Sequence, residues 1–224
     1  MTLTARMRPS RKQVEPRRKP TQDRAIASRS KIMAGAKQLL STKGVSDFSM
    51  RKLALTSGVG LGTIYDYFPG WTDIIRVLLE ERFELRQTIL ASTLEDISRE
   101  EGLAVFVPAY LQRLADQGFW KAYDLHLRAA AKSDAELEEL HQAQEREIAE
   151  RYVQEMKQAG SGWNEADLLQ VAHANMEVSQ LIDAGEQQDG HSRQLQIELV
   201  ANMIVANLKM TLRNRPSGHR EDTR

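Results

Sequence analysis

The 224-residue sequence predicts an all-α fold. Apolar residues recur at three- and four-residue steps along most of the chain. No segment alternates apolar and polar side chains as a half-buried strand would. Glycines break the periodic pattern at helical intervals. About nine helices are expected: a small N-terminal group of three, a long connecting helix, and a larger group after it.

Composition narrows the class. The 41% hydrophobic content supports a real core, and the length fits one large domain or a small and a medium one. Cysteine is absent, which excludes disulfides, zinc fingers and thiol redox sensing. No apolar run is long enough for a transmembrane helix, and the basic N-terminus lacks the apolar core of a secretory signal, so a cytoplasmic protein without membrane partners is expected. The net charge of zero is a cancellation: residues 1–60 hold 14 Lys+Arg against 3 Asp+Glu, and residues 61–224 hold 17 against 28. One end is built to meet phosphate and the other to avoid it.

Residues 1–20 contain Arg6, Arg8, Arg11, Lys12, Arg17, Arg18 and Lys19 with three prolines and little apolar content, the composition of a basic tail disordered in isolation. Two readings stand: an arm following phosphates or entering a minor groove, with Arg17, Arg18 and Lys19 its last basic residues, or a solvated tail. The first helix is expected over about Thr21–Lys43, with Ile32, Ala36, Leu39 and Leu40 on one face and Gly44 closing it. Ser49 can cap the next helix, with Phe48 and Leu53 as the two ends of a hydrophobic staple. Gly58 stops that helix after about two turns, and Ala54 falls where the two helices cross closely. Leu53, Val59 and Ile64 are the expected core contacts beneath.

The segment Gly58-Val59-Gly60-Leu61-Gly62-Thr63-Ile64-Tyr65-Asp66-Tyr67-Phe68 then spells a glycine turn followed by a short helix with surface aromatics. A helix, a glycine turn and a second short helix are the pattern of a DNA-reading helix-turn-helix. The candidate DNA contacts are Ser49, Met50, Gly60, Leu61, Gly62, Thr63, Tyr65, Asp66 and Tyr67. The nearly bare second-helix N-terminus suits a phosphate or base edge, Thr63 offers a hydroxyl and a methyl to a base, and Tyr65 and Tyr67 can reach phosphates.

Residues Arg24 to Ile75 resemble the N-terminal domain of the TetR family of bacterial transcriptional regulators. The resemblance rests on Ile32, Ala36, Leu39, Leu40 and Gly44, then Leu53-Ala54, Ser57-Gly58-Val59, Gly62-Thr63-Ile64-Tyr65, Tyr67-Phe68 and Asp73-Ile74-Ile75. It implies a homodimer on a palindromic double-stranded DNA operator and an inducer pocket for a small, often apolar molecule in the larger domain. Two positions depart from the family pattern. Gly60-Leu61 stand where a small polar and a basic residue usually precede the Gly-Thr, and Trp71 stands where a lysine usually follows.

The domains read as a tail (1–20), a helix-turn-helix domain (21–70), a regulatory and dimerisation domain (71–214) and a flexible end (215–224). In the larger domain a long helix begins near Thr72, with Ile74, Ile75, Leu78, Leu79, Phe83, Leu85 and Ile89 inward. An amphipathic helix ends at Gly118, another carries Trp120, Tyr123 and Leu127, and Asp134 caps a charged helix to about Ala159. A helix over about Asn164–Gln187 and a last one over about Ser192–Asn214 complete the chain. Candidate pocket residues are Phe106, Tyr110, Trp120, Tyr123, His126, Met156, Trp163, His173 and Met176. The last helix is apolar over more than one face, which calls for a partner. The resemblance implies that the last two helices pair with a second subunit's, giving Leu169, Met176, Val200, Met203, Ile204 and Leu208 as candidate interface residues.

Catalytic signatures are lacking. Glu138-x-x-His141 has di-iron spacing without a second copy, and His173 with Glu177 supplies only two ligands. No nucleophile elbow, phosphate loop or zincin motif appears. A non-enzymatic protein without cofactor or metal is the expectation. A repressor released by a small effector is the leading reading, and a DNA-binding architectural or adaptor protein without ligand control is the alternative.

Overall fold

The computed structural model describes residues 20–97, 102–182 and 190–213, with side chains described from Arg24 onward. Within these residues the chain forms nine helices and no strand: α1 (Pro20–Lys43), α2 (Met50–Ser57), α3 (Leu61–Tyr67), α4 (Trp71–Asp96), α5 (Leu103–Asp116), α6 (Ala122–Ala131), α7 (Ala135–Gln158), α8 (Glu165–Ser179) and α9 (Gly190–Arg213).

The head, α1–α3, is punctuated largely as its sequence dictates. Gly44 closes α1 at φ +70°, its N–H donating to the Leu40 carbonyl at 3.1 Å. Ser49 Oγ accepts the Lys52 N–H at 3.2 Å and starts α2. Gly58, at φ +67°, ends it with an N–H to the Ala54 carbonyl at 3.1 Å. A close crossing of α1 and α2 lies at Gly35, where an added Cβ would stand 2.8 Å from Ser57 Cβ and 3.0 Å from its Cα. Ala54 is half-buried against the core. Gly70 then hands the chain to α4 by donating its N–H to Asp73 Oδ2 at 2.7 Å, and α4 opens at Trp71 rather than Thr72.

One apolar core runs out of the head and into the body. Ile32, Leu40, Leu53 and Ile64 of α1–α3 are fully buried together with Ile74, Ile75 and Leu78 of α4, Leu127 and Ala130 of α6, and Leu137 of α7. Each such Leu or Ile contributes about 1.5–3 kcal/mol of burial. The first two turns of α4 are therefore embedded in the same core that holds the helix-turn-helix.

Beyond this core the body has two further clusters. The C-terminal half of α4 packs with α5 and α9 through Leu90, Leu111, Leu114 and Val200, and α7 packs with α8 through Ile148, Val153 and Leu168. Caps agree with the sequence: Asp134 Oδ1 accepts from the Glu136 and Leu137 amides at 3.1 Å, and Asn164 Oδ1 from the Asp167 amide at 2.9 Å. Two expectations fail. α8 stops at Ser179, with turn-type bonds from Gln180, Leu181 and Ile182 back to Glu177, Val178 and Ser179, whereas the apolar pattern suggested a helix to Gln187, a position outside the described residues. Trp120 is not helical; it lies in the turn before α6 at φ +62°, held by its N–H to Asp124 Oδ2 at 3.3 Å. No helix among the described residues is long and apolar enough to cross a membrane.

Candidate nucleic-acid interface and ligand cavity

The reading face of the head is small and lightly charged. Thr63 and Asp66 are exposed on α3, Tyr65 is 49% exposed, and Gly60 and Gly62 leave the helix start open, with no heavy atom within 4 Å of a Cβ built at Gly62. Ser49 is spent as a cap, and exposed Arg51 and Lys52 lie in the first turn of α2. Lys52 pairs with Asp47 at 2.7 Å, which holds the Asp47 carboxyl below its ordinary range. Arg51 has no such partner shown and is a DNA candidate that motif reading passed over, although its place beside the cap is a usable signal.

Three candidate contacts point elsewhere. Met50 is buried in the head core because the first residue of a capped amphipathic helix turns inward here. Leu61 is half-buried against the same core, filling space beneath the turn instead of facing DNA. Tyr67 donates its hydroxyl to the Ala25 carbonyl at 3.3 Å, so it ties α3 to the first turns of α1. Arg17, Arg18 and Lys19 lie outside the described residues, as do 215–224. The Tyr67 bond nevertheless brings the start of α1, and hence the point where the basic segment joins it, beside α3.

The body holds a cavity of about 570 Å³, partly open to the surface, between α4, α5, α7, α8 and α9. Of the nine candidate pocket residues, Phe106, Tyr110, Met156 and Met176 line it. So do Arg86, Leu90, Leu94, Leu114, Tyr152, Asn175, Ile204 and Leu208, which motif reading did not assign to it. The walls are mainly apolar, with one polar cluster. The Tyr110 and Tyr152 hydroxyls share a hydrogen bond of 2.9 Å, with the rings edge-on at 6.2 Å between centroids. Arg86 abuts both and donates to Glu145 Oε1 at 2.9 Å. Burial pushes the Tyr110 hydroxyl well above its ordinary pKa, so it remains a donor. Burial also works against the Arg86 charge, but Tyr152 and Glu145 more than offset it and the guanidinium stays ionised.

The other five candidate pocket residues do not line this cavity. Trp120 borders a separate space of about 50 Å³, too small for more than a water or two. Tyr123 packs on the core shared by head and body, and its hydroxyl pKa is raised by burial. His126 donates Nδ1–H to the Leu40 carbonyl at 2.7 Å and lies 3.4 Å from where a Gly44 Cβ would stand, so it joins α6 to the end of α1. Trp163 is buried in the α7–α8 core, and His173 is exposed. For Tyr123, His126 and His173 the helical spacing placed the side chain on a packing or solvent face, while Trp120 and Trp163 lie in the connections before α6 and α8. His141 is half-buried, its pKa lowered chiefly by burial. No group of three or more His, Asp or Glu able to hold a metal occurs among the described residues.

The candidate interface residues divide similarly. Val200, Ile204 and Met176 are buried inside the protomer, and Leu208 and Leu169 are half-buried against its own cores. Only Met203 is exposed. The outward stripe of α9 is instead Leu195, Leu199, Met203 and Met210, spaced by fours and a seven, with Leu199 56% exposed. The helix is two-sided as its sequence implied, and of the interface candidates on α9 only Met203 lies on the outward stripe.

An all-helical protein with a helix-turn-helix head, a cavity in its body and an uncovered apolar stripe belongs to the class of helical DNA-binding regulators. Residues 32–78 match the model of the family of bacterial regulatory proteins, tetR family, so the head is similar to that family's N-terminal domain. Solved structures share the fold over most of the length. A tetR-family bacterial regulatory protein from Rhodococcus RHA1 is 18% identical, covering 83% of this chain and 96% of its own, with a TM-score of 0.62. A transcriptional regulator from Aquifex aeolicus VF5 is 11% identical, covering 79% and 99%, with a TM-score of 0.61. The tetR-like regulator LfrR from Mycobacterium smegmatis, solved in complex with proflavine, is 15% identical, covering 80% and 97%, with a TM-score of 0.58. Among proteins of curated function none matches.

Proposed function

We propose that the protein is a cytoplasmic transcriptional repressor that binds a palindromic operator as a homodimer and leaves it when a small molecule enters the body cavity. The observation that carries this reading is α4. One helix places Ile74, Ile75 and Leu78 in the core of the DNA-reading head and, farther along, Arg86, Leu90 and Leu94 in the cavity wall. A shift of α4 on ligand entry moves the head with it, because a close-packed core transmits displacement instead of absorbing it. In a twofold dimer that motion changes the distance between two recognition helices that must meet successive major grooves. The effect is a shift of population between two head spacings.

The exposed Leu195–Met210 stripe on α9 supplies the self-complementary surface such a dimer needs. That a protein of the same fold was solved with proflavine supports a small-molecule occupant. The cavity favours this reading over a DNA-binding architectural protein without ligand control. Fragments selected from genomic DNA by the purified protein should share an inverted repeat, and light scattering should give a dimer. A compound that stabilises the protein should weaken operator binding by the factor by which the operator weakens the compound's binding. Operator affinity unchanged by a bound compound supports the architectural reading.

A further inference from the structure

The cavity's polar cluster keeps a buried donor unmet, and its charges cancel. Arg86 Nε is buried with no hydrogen-bond partner among the described residues. The Tyr110 and Tyr152 hydroxyls sit beside it, and their mutual bond uses one of their two hydrogens. A buried donor is thus left over beside the cavity, and an unmet buried donor is costly until an acceptor arrives. The charge of Arg86, whose side chain is 13% exposed, is already answered by Glu145. The remaining charged lining residues, Glu155 and Lys209, are of opposite sign. A ligand carboxylate would therefore enter a site with no net positive charge to offset its desolvation, while a ligand ammonium would meet donors and a guanidinium.

We infer that the ligand of this cavity is an uncharged, mainly apolar molecule with one oxygen acceptor, such as a ketone or ester, seated on Arg86 and the Tyr110–Tyr152 pair. This rests on the regulator reading for its consequence, but its test does not need DNA. A matched nine-carbon set isolates the end group: 2-nonanone, nonanoate, nonylammonium and nonane, each titrated into the full chain and read by thermal shift and calorimetry. The ketone is expected to bind tightest, by at least tenfold over the two ions. Tyr110→Phe/Tyr152→Phe keeps both rings, and should weaken the ketone about tenfold while leaving nonane unchanged.

Glu145→Gln provides the sharper test. It removes the carboxylate that neutralises Arg86, and Glu145 is 35% exposed, so the fold should survive. In that variant nonanoate should gain tenfold or more and overtake the ketone. Tighter binding of either ion to the unaltered protein, unchanged ranking in Glu145→Gln, or no binding of any of the four overturns the inference. Loss of operator binding in the absence of any compound would defeat the regulator reading and leave the ligand ranking as measured.

Discussion

Head and body are built from the same element but place their charge oppositely. In the head, the interior is wholly apolar and the described ion pair between its elements, Lys52–Asp47, lies on the surface, with side chains 47% and 50% exposed. In the body, Arg82 of α4 is clamped inside. It donates to Asp124 Oδ1 at 2.7 Å and to the Gln117 carbonyl at 3.1 Å, and lies 3.3 Å above the Phe119 ring. The side chains of Arg82 and Asp124 are 12% and 11% exposed. The head needs a rigid, dry core because it must present a fixed surface. The body keeps polar groups inside and an open cavity, as the proposed receptor role requires.

Cutting one ion pair in each region gives the largest contrast. Asp124→Ala strands the Arg82 guanidinium and the Trp120 amide and should cost about 3–5 kcal/mol in denaturant unfolding. Asp47→Ala, at the surface, should leave the unfolding midpoint where it is. Adding volume gives the next. Gly35→Val drives a branched side chain into Ser57, where even a Cβ stands 2.8 Å from its neighbour, and should cost about 3 kcal/mol along with DNA binding. Ala172→Leu projects new methyls at the cavity and should cost less than about 1 kcal/mol while abolishing ligand-induced stabilisation. Equal costs for the two would erase the distinction between a packed head and a hollow body.

Smaller effects test the reading face. Thr63→Ala should relax operator preference by about 1–3 kcal/mol, whereas Tyr65→Phe should weaken operator and non-operator DNA alike, by about 1 kcal/mol, in anisotropy titrations. The smallest is a pH effect in the body. The His141 pKa is lowered on folding, so the unfolded chain takes up the proton first and stability falls as pH drops below 6.5. His141→Gln should flatten that acid limb and leave stability at pH 8 nearly unchanged.

What was legible in the sequence follows the same divide. The head is specified by neighbours in the chain: Ser49 caps three residues on, Gly44 and Gly58 take left-handed conformations, and Phe48 and Leu53 staple one turn. Such local rules are visible without a fold. Gly35 escaped notice because its need arises from Ser57 across a helix crossing, although Ala34-Gly35-Ala36 in mid-helix marks a close approach.

The body depends on contacts far apart in sequence. Tyr110 meets Tyr152, and Arg86 meets Glu145, only once α4, α5 and α7 pack. Periodicity identified an amphipathic last helix but not which face it buries, so Val200 and Ile204 were assigned outward when Leu195 and Leu199 are. Arg82 and Arg86, one turn apart amid Leu79, Phe83, Ile89 and Leu90, were the sequence signal that α4 buries charge.

The central claim is that α4 makes cavity occupancy and head spacing one equilibrium. The natural chain has no cysteine, so a single Lys31→Cys change on the exposed face of α1 places one spin label on each head of the dimer. Distances between the two labels should form one narrow population on selected operator DNA. They should move to a second, resolved population when the most stabilising compound of the nine-carbon set is added at saturation. A label-to-label distribution that stays the same with compound bound would contradict the account.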